Sequence, residues 1–166
     1  MGILHSILLL SRGAKVMISD VSEPRLRFAK SKVECVIDAG KQDVAREVRE
    51  RTAGRGADIA IVASGRPKAV LQALKSVRTG GRVCLFGVPA KGSVLDYDLS
   101  DIYNSEISMV PSYGATDAET ATALSLIAAD REKFRRVITH TFPIAEFARA
   151  VETATSGVGM KVVITP

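Results

Sequence analysis

The chain has 166 residues, of which 46% are apolar and 5% are aromatic, so its composition predicts one domain with an aliphatic core. The net charge is +5, but Lys and Arg alternate with acidic residues and are not accompanied by aromatic side chains, which argues against nucleic-acid binding. No apolar run approaches about 18 residues and no leader pattern is present, so we expect a soluble, cytoplasmic protein that does not bind membranes.

Strand-like and helix-like segments alternate along the chain. After the apolar segment 3–10, strands are predicted at 15–19, 35–37, 58–63, 81–87 and 107–112, and helices at 22–32, 44–52, 67–77, 99–103 and 117–129. The run 58–63 is almost wholly apolar and is bounded by glycines, which predicts a strand covered on both faces. Thr116 is a plausible N-cap for the helix that follows it. This βα succession predicts a parallel, doubly wound sheet.

The last part of the sequence predicts a strand at 137–141, a helix at 144–154 and a strand at 161–165. Between 88 and 105 the pattern is that of a loop with one short helix. No internal repeat and no low-complexity segment interrupts the chain.

The first residues look like the end of a dinucleotide-binding loop. In G-x-G-x-x-G the last glycine opens a helix, and an acidic residue about 20 positions later ends the next strand. Gly2 opens the apolar segment 3–10, and Asp20 follows the strand predicted at 15–19. The upstream part of the loop is absent, so half of the motif is present in the right context.

Further segments make this pattern specific to one family. They are Gly54-Arg55-Gly56-Ala57-Asp58, Gly80-Gly81-Arg82-Val83 and Ser112-Tyr113-Gly114-Ala115-Thr116, together with residues 14–26. With Gly2 and Asp20 they resemble the cofactor-binding half of medium-chain, zinc-type alcohol dehydrogenases, and most nearly the polyol and threonine dehydrogenase branch. The resemblance covers essentially the whole chain.

The resemblance implies an α/β, Rossmann-type fold that is truncated at its N-terminus. Residues 1–136 would form a dinucleotide-binding domain without its first strand, and residues 137–166 a strand–helix–strand unit that returns to the catalytic domain in those enzymes. Their zinc ligands and catalytic residues lie in an N-terminal domain that nothing here matches. We therefore expect no catalytic and no metal-binding residues in this chain.

Three residues are expected at the adenosine side of an NAD site. Glycine at position 2 would let the helix start approach a pyrophosphate, which the free N–H groups of the first turn favour. A carboxylate at Asp20 can accept the ribose hydroxyls and would repel a 2′-phosphate, which favours NAD over NADP. The alternative is a turn-forming aspartate before a cap at Ser22. By resemblance Arg25 lies beside the adenine ribose, whereas the alternative is an ordinary exposed helix charge.

The ends of later strands supply the other contacts that the resemblance implies, since ligands of open α/β sheets bind at the carboxyl ends of the strands. Val62 and Ala63 would flank the adenosine, Gly87 and Val88 the nicotinamide ribose, Ser112 and Tyr113 the carboxamide, and Lys161 the pyrophosphate. Small residues after strands are also common turn formers, and Lys161 could equally be a solvated lysine at a strand start. Pro111 departs from the family, which often has glycine there, and proline removes a backbone donor.

Neither the cysteines nor the histidines form a metal-binding or catalytic pattern. Cys35 and Cys84 are far apart in sequence and have no C-x-x-C partner, so each is expected to be a small buried hydrophobe. His5 and His140 lie beside no candidate nucleophile and are expected to be structural or surface residues.

The resemblance implies the NAD-binding part of an oxidoreductase that transfers a hydride between NAD and a secondary alcohol, either a polyol or a hydroxy amino acid. In the whole enzymes zinc polarises the alcohol oxygen, so the chain alone is expected to be inactive. The alternative is a non-enzymatic, truncated domain that binds a nucleotide or associates with itself.

The missing strand has a consequence for assembly. In a 3-2-1-4-5-6 sheet the first strand lies between the strands predicted here at 15–19 and 58–62, so each would have unpaired backbone groups. Such edges pair with another chain or with a displaced segment such as 161–165. The strand at 107–112 resembles one that joins subunits in this family. We therefore expect a homo-oligomer, at least a dimer.

Overall fold

The computed structural model describes all residues, 1–166. In chain order the elements are α1 (Gly2–Ser11), β1 (Met17–Asp20), α2 (Glu23–Lys30), β2 (Cys35–Asp38), α3 (Val44–Arg51), β3 (Ala57–Val62), α4 (Pro67–Ser76), β4 (Val77–Leu85), α5 (Leu99–Asn104), β5 (Ser108–Pro111), α6 (Asp117–Ala129), α7 (Arg131–Arg135), β6 (Ile138–Pro143), α8 (Phe147–Ser156) and β7 (Lys161–Thr165). Each predicted strand and helix is found, with bounds that differ by a few residues; the largest difference is β4, which begins at Val77 and ends at Leu85 where 81–87 was predicted. Helix α7 and a 3-10 turn at Ile144–Glu146 were not predicted.

Every strand pairing is parallel, which confirms the predicted α/β class. The strands form three separate sheets, of order β1-β2, β3-β4-β5 and β6-β7. Strands β1 and β3 do not pair with each other, and no strand of this chain lies between them. The alternative that 161–165 fills this position is wrong, because β7 pairs with β6 instead. Only a 3-10 turn and helix α8 separate β6 from β7 in the sequence, so these two strands pair without displacement of any other segment.

The core is aliphatic, as the composition predicts, and it lies in small clusters between helices and sheets. In α1, Ile3 and Ile7 are one turn apart, and they pack against Ala29 of α2 and Val137. A second cluster joins α4 to β3 and β4. Its buried members are Val62, Leu74, Val77 and Val83. The first cluster holds the start of α1 in place. The second cluster holds the sheet that contains β3 and β4, whose carboxyl ends lie beside the start of α1.

Strand β3 is not covered on both faces, so this part of the prediction is wrong. Helix α4 packs on one face of the strand, but Ile59 is 55% exposed and Asp58 is exposed as well. Only Val62, at the carboxyl end, is buried. An apolar run can identify a strand, but the cover on each face depends on elements that lie far away in sequence.

Helix α6 begins with the predicted cap and then lies almost free of the rest of the chain. Thr116 accepts a hydrogen bond from the Glu119 amide while the Glu119 carboxylate accepts one from the Thr116 amide, which makes a full capping box. No residue of α6 is buried, and Leu124 and Ile127 are exposed. None of the helices is both long enough and apolar enough to span a membrane.

Candidate cofactor-binding site

The N-terminus of α1 points at the carboxyl ends of β3 and β4. A Cβ atom added to Gly2 would lie 3.9 Å from the Cβ of Ala63, which is ordinary contact, so packing within the chain does not require glycine there. One turn on, the His5 ring packs edge-on against Phe86 with ring centroids 4.5 Å apart. The first N–H groups of a helix have no partner within it. The bare backbone at Gly2 can therefore donate to an anion that lies between the strand ends.

Asp20 combines the two interpretations that the sequence left open. Its Oδ1 accepts hydrogen bonds from the amides of Val21 and Ser22, at 2.8 and 2.9 Å, and so forms the turn into α2. Ser22 is the N-cap by position, but its own side chain makes no capping bond. The other oxygen, Oδ2, lies 3.7 Å from Nη1 of Arg25, and the side chain is 28% exposed. Oδ2 is the oxygen that can still accept a hydrogen bond from a ligand.

Positive groups surround Asp20 and the start of α1. The pKa of the Met1 amino group is lowered, first by burial and then by Arg25 and Lys161, while Asp20 raises it. Arg25 also approaches the turn before β7, since a Cβ on Gly157 would lie 3.2 Å from its Nη2. The structure thus brings Gly2, Asp20 and Arg25 to one place, and the charge of Lys161 acts on the same Met1 amino group. Gly157 was not predicted as a site residue, although a glycine shortly before the predicted strand 161–165 could have indicated a turn there.

After β3 and β4 end, the main chain at 64–65 lies against the main chain at 87–88. A Cβ on Gly87 would lie 2.6 Å from the Ser64 nitrogen and 2.7 Å from the Gly65 nitrogen, closer than atoms can pack. A Cβ on Gly65 would lie 2.8 Å from the carbonyl carbon of Val88. Gly65 was not predicted as a site residue, and only its place after a strand hinted at it. Val88 is exposed beside this junction.

Val62 and Ala63 differ in what they can offer a ligand. The Val62 side chain is 5% exposed and belongs to the core, and its carbonyl accepts from the amides of Phe86 and Gly87. Ala63 is exposed and faces Gly2. The Val62 side chain is therefore part of the core, and Ala63 is the exposed residue of the two; that both flank the adenosine stays a prediction.

The residues after β5 lie at the open edge of their sheet. The Ser112 amide donates to the Leu85 carbonyl at 2.9 Å and continues the ladder between β4 and β5. Pro111 stands opposite Leu85 in the register. Tyr113 is 91% exposed, so the structure does not bring its side chain together with the other predicted site residues.

Metal-binding residues do not cluster. No group of three or more His, Cys, Asp or Glu side chains could hold a metal ion, so the residues of this chain do not fit a zinc site. Cys35 and Cys84 are free and half-buried, less buried than expected, because each lies on a strand whose sheet is only partly covered. The His5 Nε2 is buried without a hydrogen-bond partner. Burial, together with the positive N-terminus, lowers the pKa of His5.

A family model described as "Zinc-binding dehydrogenase" matches residues 1–129. The chain belongs to the zinc-binding dehydrogenase family. It is 30% identical over 168 aligned positions to sorbitol dehydrogenase of Halalkalibacterium halodurans, which covers 99% of this chain and 49% of that protein. It is 33% identical over 155 positions to L-threonine 3-dehydrogenase of Symbiobacterium thermophilum, covering 91% of this chain and 44% of that protein.

Solved structures of alcohol dehydrogenases share the fold of this family member. The alcohol dehydrogenase TADH from Thermus sp. ATN1 superposes with a TM-score of 0.89 at 26% identity, over 99% of this chain and 48% of that one. The chain thus spans just under half the length of the dehydrogenases that it matches. The resemblance inferred from the sequence motifs is confirmed at the level of the family and of the α/β fold.

Proposed function

We propose that this member of the zinc-binding dehydrogenase family is the NAD-binding part of an oxidoreductase that transfers a hydride between NAD and a secondary alcohol. The observation that carries the proposal is that Asp20, paired with Arg25, lies near the start of α1 at Gly2, which itself faces Ala63 at the end of β3. A helix N-terminus with nearby cations favours a pyrophosphate, and a carboxylate at the end of the neighbouring strand favours a ribose.

The residues present fit such a cofactor, and each has a definite task. The free N–H groups at Gly2 would bind the pyrophosphate, with Lys161 adding a positive charge. Asp20 Oδ2 would accept a hydrogen bond from a ribose hydroxyl, while Oδ1 keeps the turn and the carboxylate in position. Gly87 and Val88 would lie along the nicotinamide half. NAD itself supplies the carbon that accepts or donates the hydride.

The choice of NAD over NADP is tested at Asp20. Asp20→Ser removes the hydrogen bond to the ribose and the repulsion of a 2′-phosphate, so NAD should bind more weakly by about 1 to 3 kcal/mol while NADP gains relative to it. Asp38→Ser is the matched control, because Asp38 also ends a strand and accepts from a turn amide, that of Gly40. Affinities are measured by calorimetry. Equal affinity of the unchanged chain for NAD and NADP would refute the assignment.

The substrate class is proposed from two relatives, one named a sorbitol dehydrogenase and the other an L-threonine 3-dehydrogenase. We propose a polyol or a hydroxy amino acid as the alcohol of the whole enzyme. The isolated 166-residue chain is expected to show no zinc-dependent oxidation of either class. The assay measures bound metal and NAD reduction over a panel of polyols and threonine, and stoichiometric zinc with turnover would contradict it.

Self-association is a second proposed property, and it is the alternative function if NAD does not bind. Strand β5 pairs only with β4, so its outer edge is free. Val110 on that strand and Tyr113 just beyond it are exposed. Exposed edges of this kind pair with other chains. We propose at least a dimer, which light scattering over a dilution series measures. A cooperatively folded monomer at micromolar concentration would exclude it, and a Val110→Lys variant should dissociate more readily than a Val94→Lys control in the 88–98 loop.

Two organisational proposals accompany the function. Residues 1–136 are proposed as the dinucleotide-binding unit and 137–166 as the segment that returns to a catalytic domain in the whole enzyme. The cytoplasm is the proposed compartment, supported by two cysteines that are both free thiols, as a reducing compartment maintains them.

A further inference from the structure

The turn between α8 and β7, residues 157–160, packs against the elements that form the candidate cofactor site. Gly157 ends α8 in the left-handed conformation, with φ of 73°. Met160 packs against the apolar cluster between α1 and α2. The Met160 amide also donates a hydrogen bond to Oγ1 of Thr139 on β6, at 2.9 Å. These contacts hold the turn, which we call the α8–β7 turn, in a fixed place beside α1 and α2.

Arg25 of α2 lies between Asp20 and the α8–β7 turn. Its Nη1 is 3.7 Å from Oδ2 of Asp20. Its Nη2 is so close to the turn that a Cβ on Gly157 would lie 3.2 Å away, inside the 3.4 Å at which ordinary contact begins. One guanidinium therefore has a carboxylate at one nitrogen and bare backbone at the other, and glycine is the residue that leaves room for this arrangement.

The turn limits the freedom of a side chain that would otherwise move in solvent. The Arg25 side chain is 47% exposed, and exposed ion pairs are weak because two flexible side chains must be held in one geometry. The main chain at Gly157 removes part of that cost, since it blocks one direction in which the guanidinium could leave Asp20. On the carboxylate, Oδ1 is already held by the amides of Val21 and Ser22. Arg25 then fixes the side of Asp20 that remains open to a ligand.

We propose that Gly157 is a positioning residue of the candidate cofactor site and contributes to its selectivity for a ribose with free hydroxyls. The absence of a side chain at 157 keeps the Arg25 guanidinium on Asp20, and Asp20 Oδ2 is thereby preorganised to accept from a ribose hydroxyl. This inference rests on the proposed NAD-binding function. It gives the 137–166 segment a part in cofactor binding, which it exerts through Arg25.

Gly157→Asn tests the proposal, because asparagine tolerates the left-handed conformation better than most residues and adds a side chain where Arg25 lies. Calorimetry should show that the variant binds NAD about three- to tenfold more weakly, as expected when one hydrogen bond is no longer well placed. The second ligand is an NAD analogue whose adenosine ribose lacks both hydroxyls. Its affinity should be the same for both proteins, since it offers no hydroxyl to Asp20. A merely structural role of Gly157 would weaken both ligands alike.

Gly13→Asn is the matched control. Gly13 also follows the end of a helix and has φ of 78°, but a Cβ there would meet nothing within 4 Å. This variant carries the same backbone strain without a neighbouring cation, so its affinity for NAD should equal that of the unchanged chain. In an Arg25→Ala background, Gly157→Asn should cause no further loss, because the side chain that Gly157 positions is gone.

Urea denaturation of the same variants measures the contact without any ligand. Gly157→Asn should lower the urea midpoint more in the unchanged chain than in the Arg25→Ala chain, whereas Gly13→Asn should lower it equally in both. If the unchanged chain binds no NAD, the proposed function fails, and this cycle still decides whether Gly157 holds Arg25. Equal lowering of the midpoint by Gly157→Asn in the two backgrounds, or equal weakening of NAD and its dideoxy analogue, would overturn the inference.

Discussion

Gly87→Ala is expected to destabilise the fold at the junction between β3 and β4. The added Cβ would lie 2.6 and 2.7 Å from the backbone nitrogens of Ser64 and Gly65. Carbon atoms pack at about 3.5 to 4.0 Å, so the two backbones must separate by close to 1 Å. These contacts are with main-chain atoms, which cannot rotate away as a flexible side chain would.

The cost has two parts. Overpacking of this kind costs about 1 to 3 kcal/mol. The same separation stretches the hydrogen bond from the Gly87 amide to the Val62 carbonyl, now 2.8 Å long, and losing it costs about another 1 kcal/mol. We therefore expect the free energy of unfolding to fall by about 2 to 4 kcal/mol. In a chain of this size that lowers Tm by about 5 to 15 °C.

Urea denaturation of the two proteins measures this difference, with Gly2→Ala as the matched control. At Gly2 the new Cβ meets only the Ala63 Cβ, at an ordinary 3.9 Å, so the free energy of unfolding should not fall. Gly2→Ala should still weaken NAD binding if the cofactor approaches the backbone there. A Gly87→Ala variant as stable as the unchanged chain, within about 0.5 kcal/mol, would show that the junction is looser than described.

Two further predictions concern a buried ring and a helix cap. The pKa of His5 is below its ordinary value of 6.5 because the ring is partly buried, so the unfolded chain takes up the proton first and stability should fall as pH drops below about 6.5. Urea titrations between pH 7 and 5 measure this, and His5→Leu should flatten that part of the stability profile. His140→Leu on β6 is the control and should leave the profile in place. An unchanged slope in His5→Leu would contradict the assignment of this pH dependence to His5. Thr116→Ala removes the capping box and should cost α6 about 0.5 to 2 kcal/mol, and because α6 packs against so little, this should appear as faster amide exchange at 117–129 with global stability retained. Unaltered exchange there would mean that something other than the cap holds the helix.

The secondary structure follows from the sequence because its signals are local. Thr116 and Glu119 are three residues apart, and their capping box depends on little beyond that spacing. Gly2 and Asp20 could be recognised for the same reason, since a helix start and a strand end carry their own short patterns. The parallel α/β class follows from the alternation of such segments.

The tertiary structure decided what non-neighbouring residues do to each other. The sequence could not indicate that Gly65 and Gly87 meet across two strand ends, that Val62 turns into the core while Ala63 faces Gly2, or that Arg25 lies between Asp20 and the turn at Gly157. It also could not divide the two oxygens of Asp20 between a turn and a free acceptor. The physical reason is that such contacts depend on strand register and helix packing, which many distant residues fix together, whereas turns, caps and periodicity are fixed within a few residues.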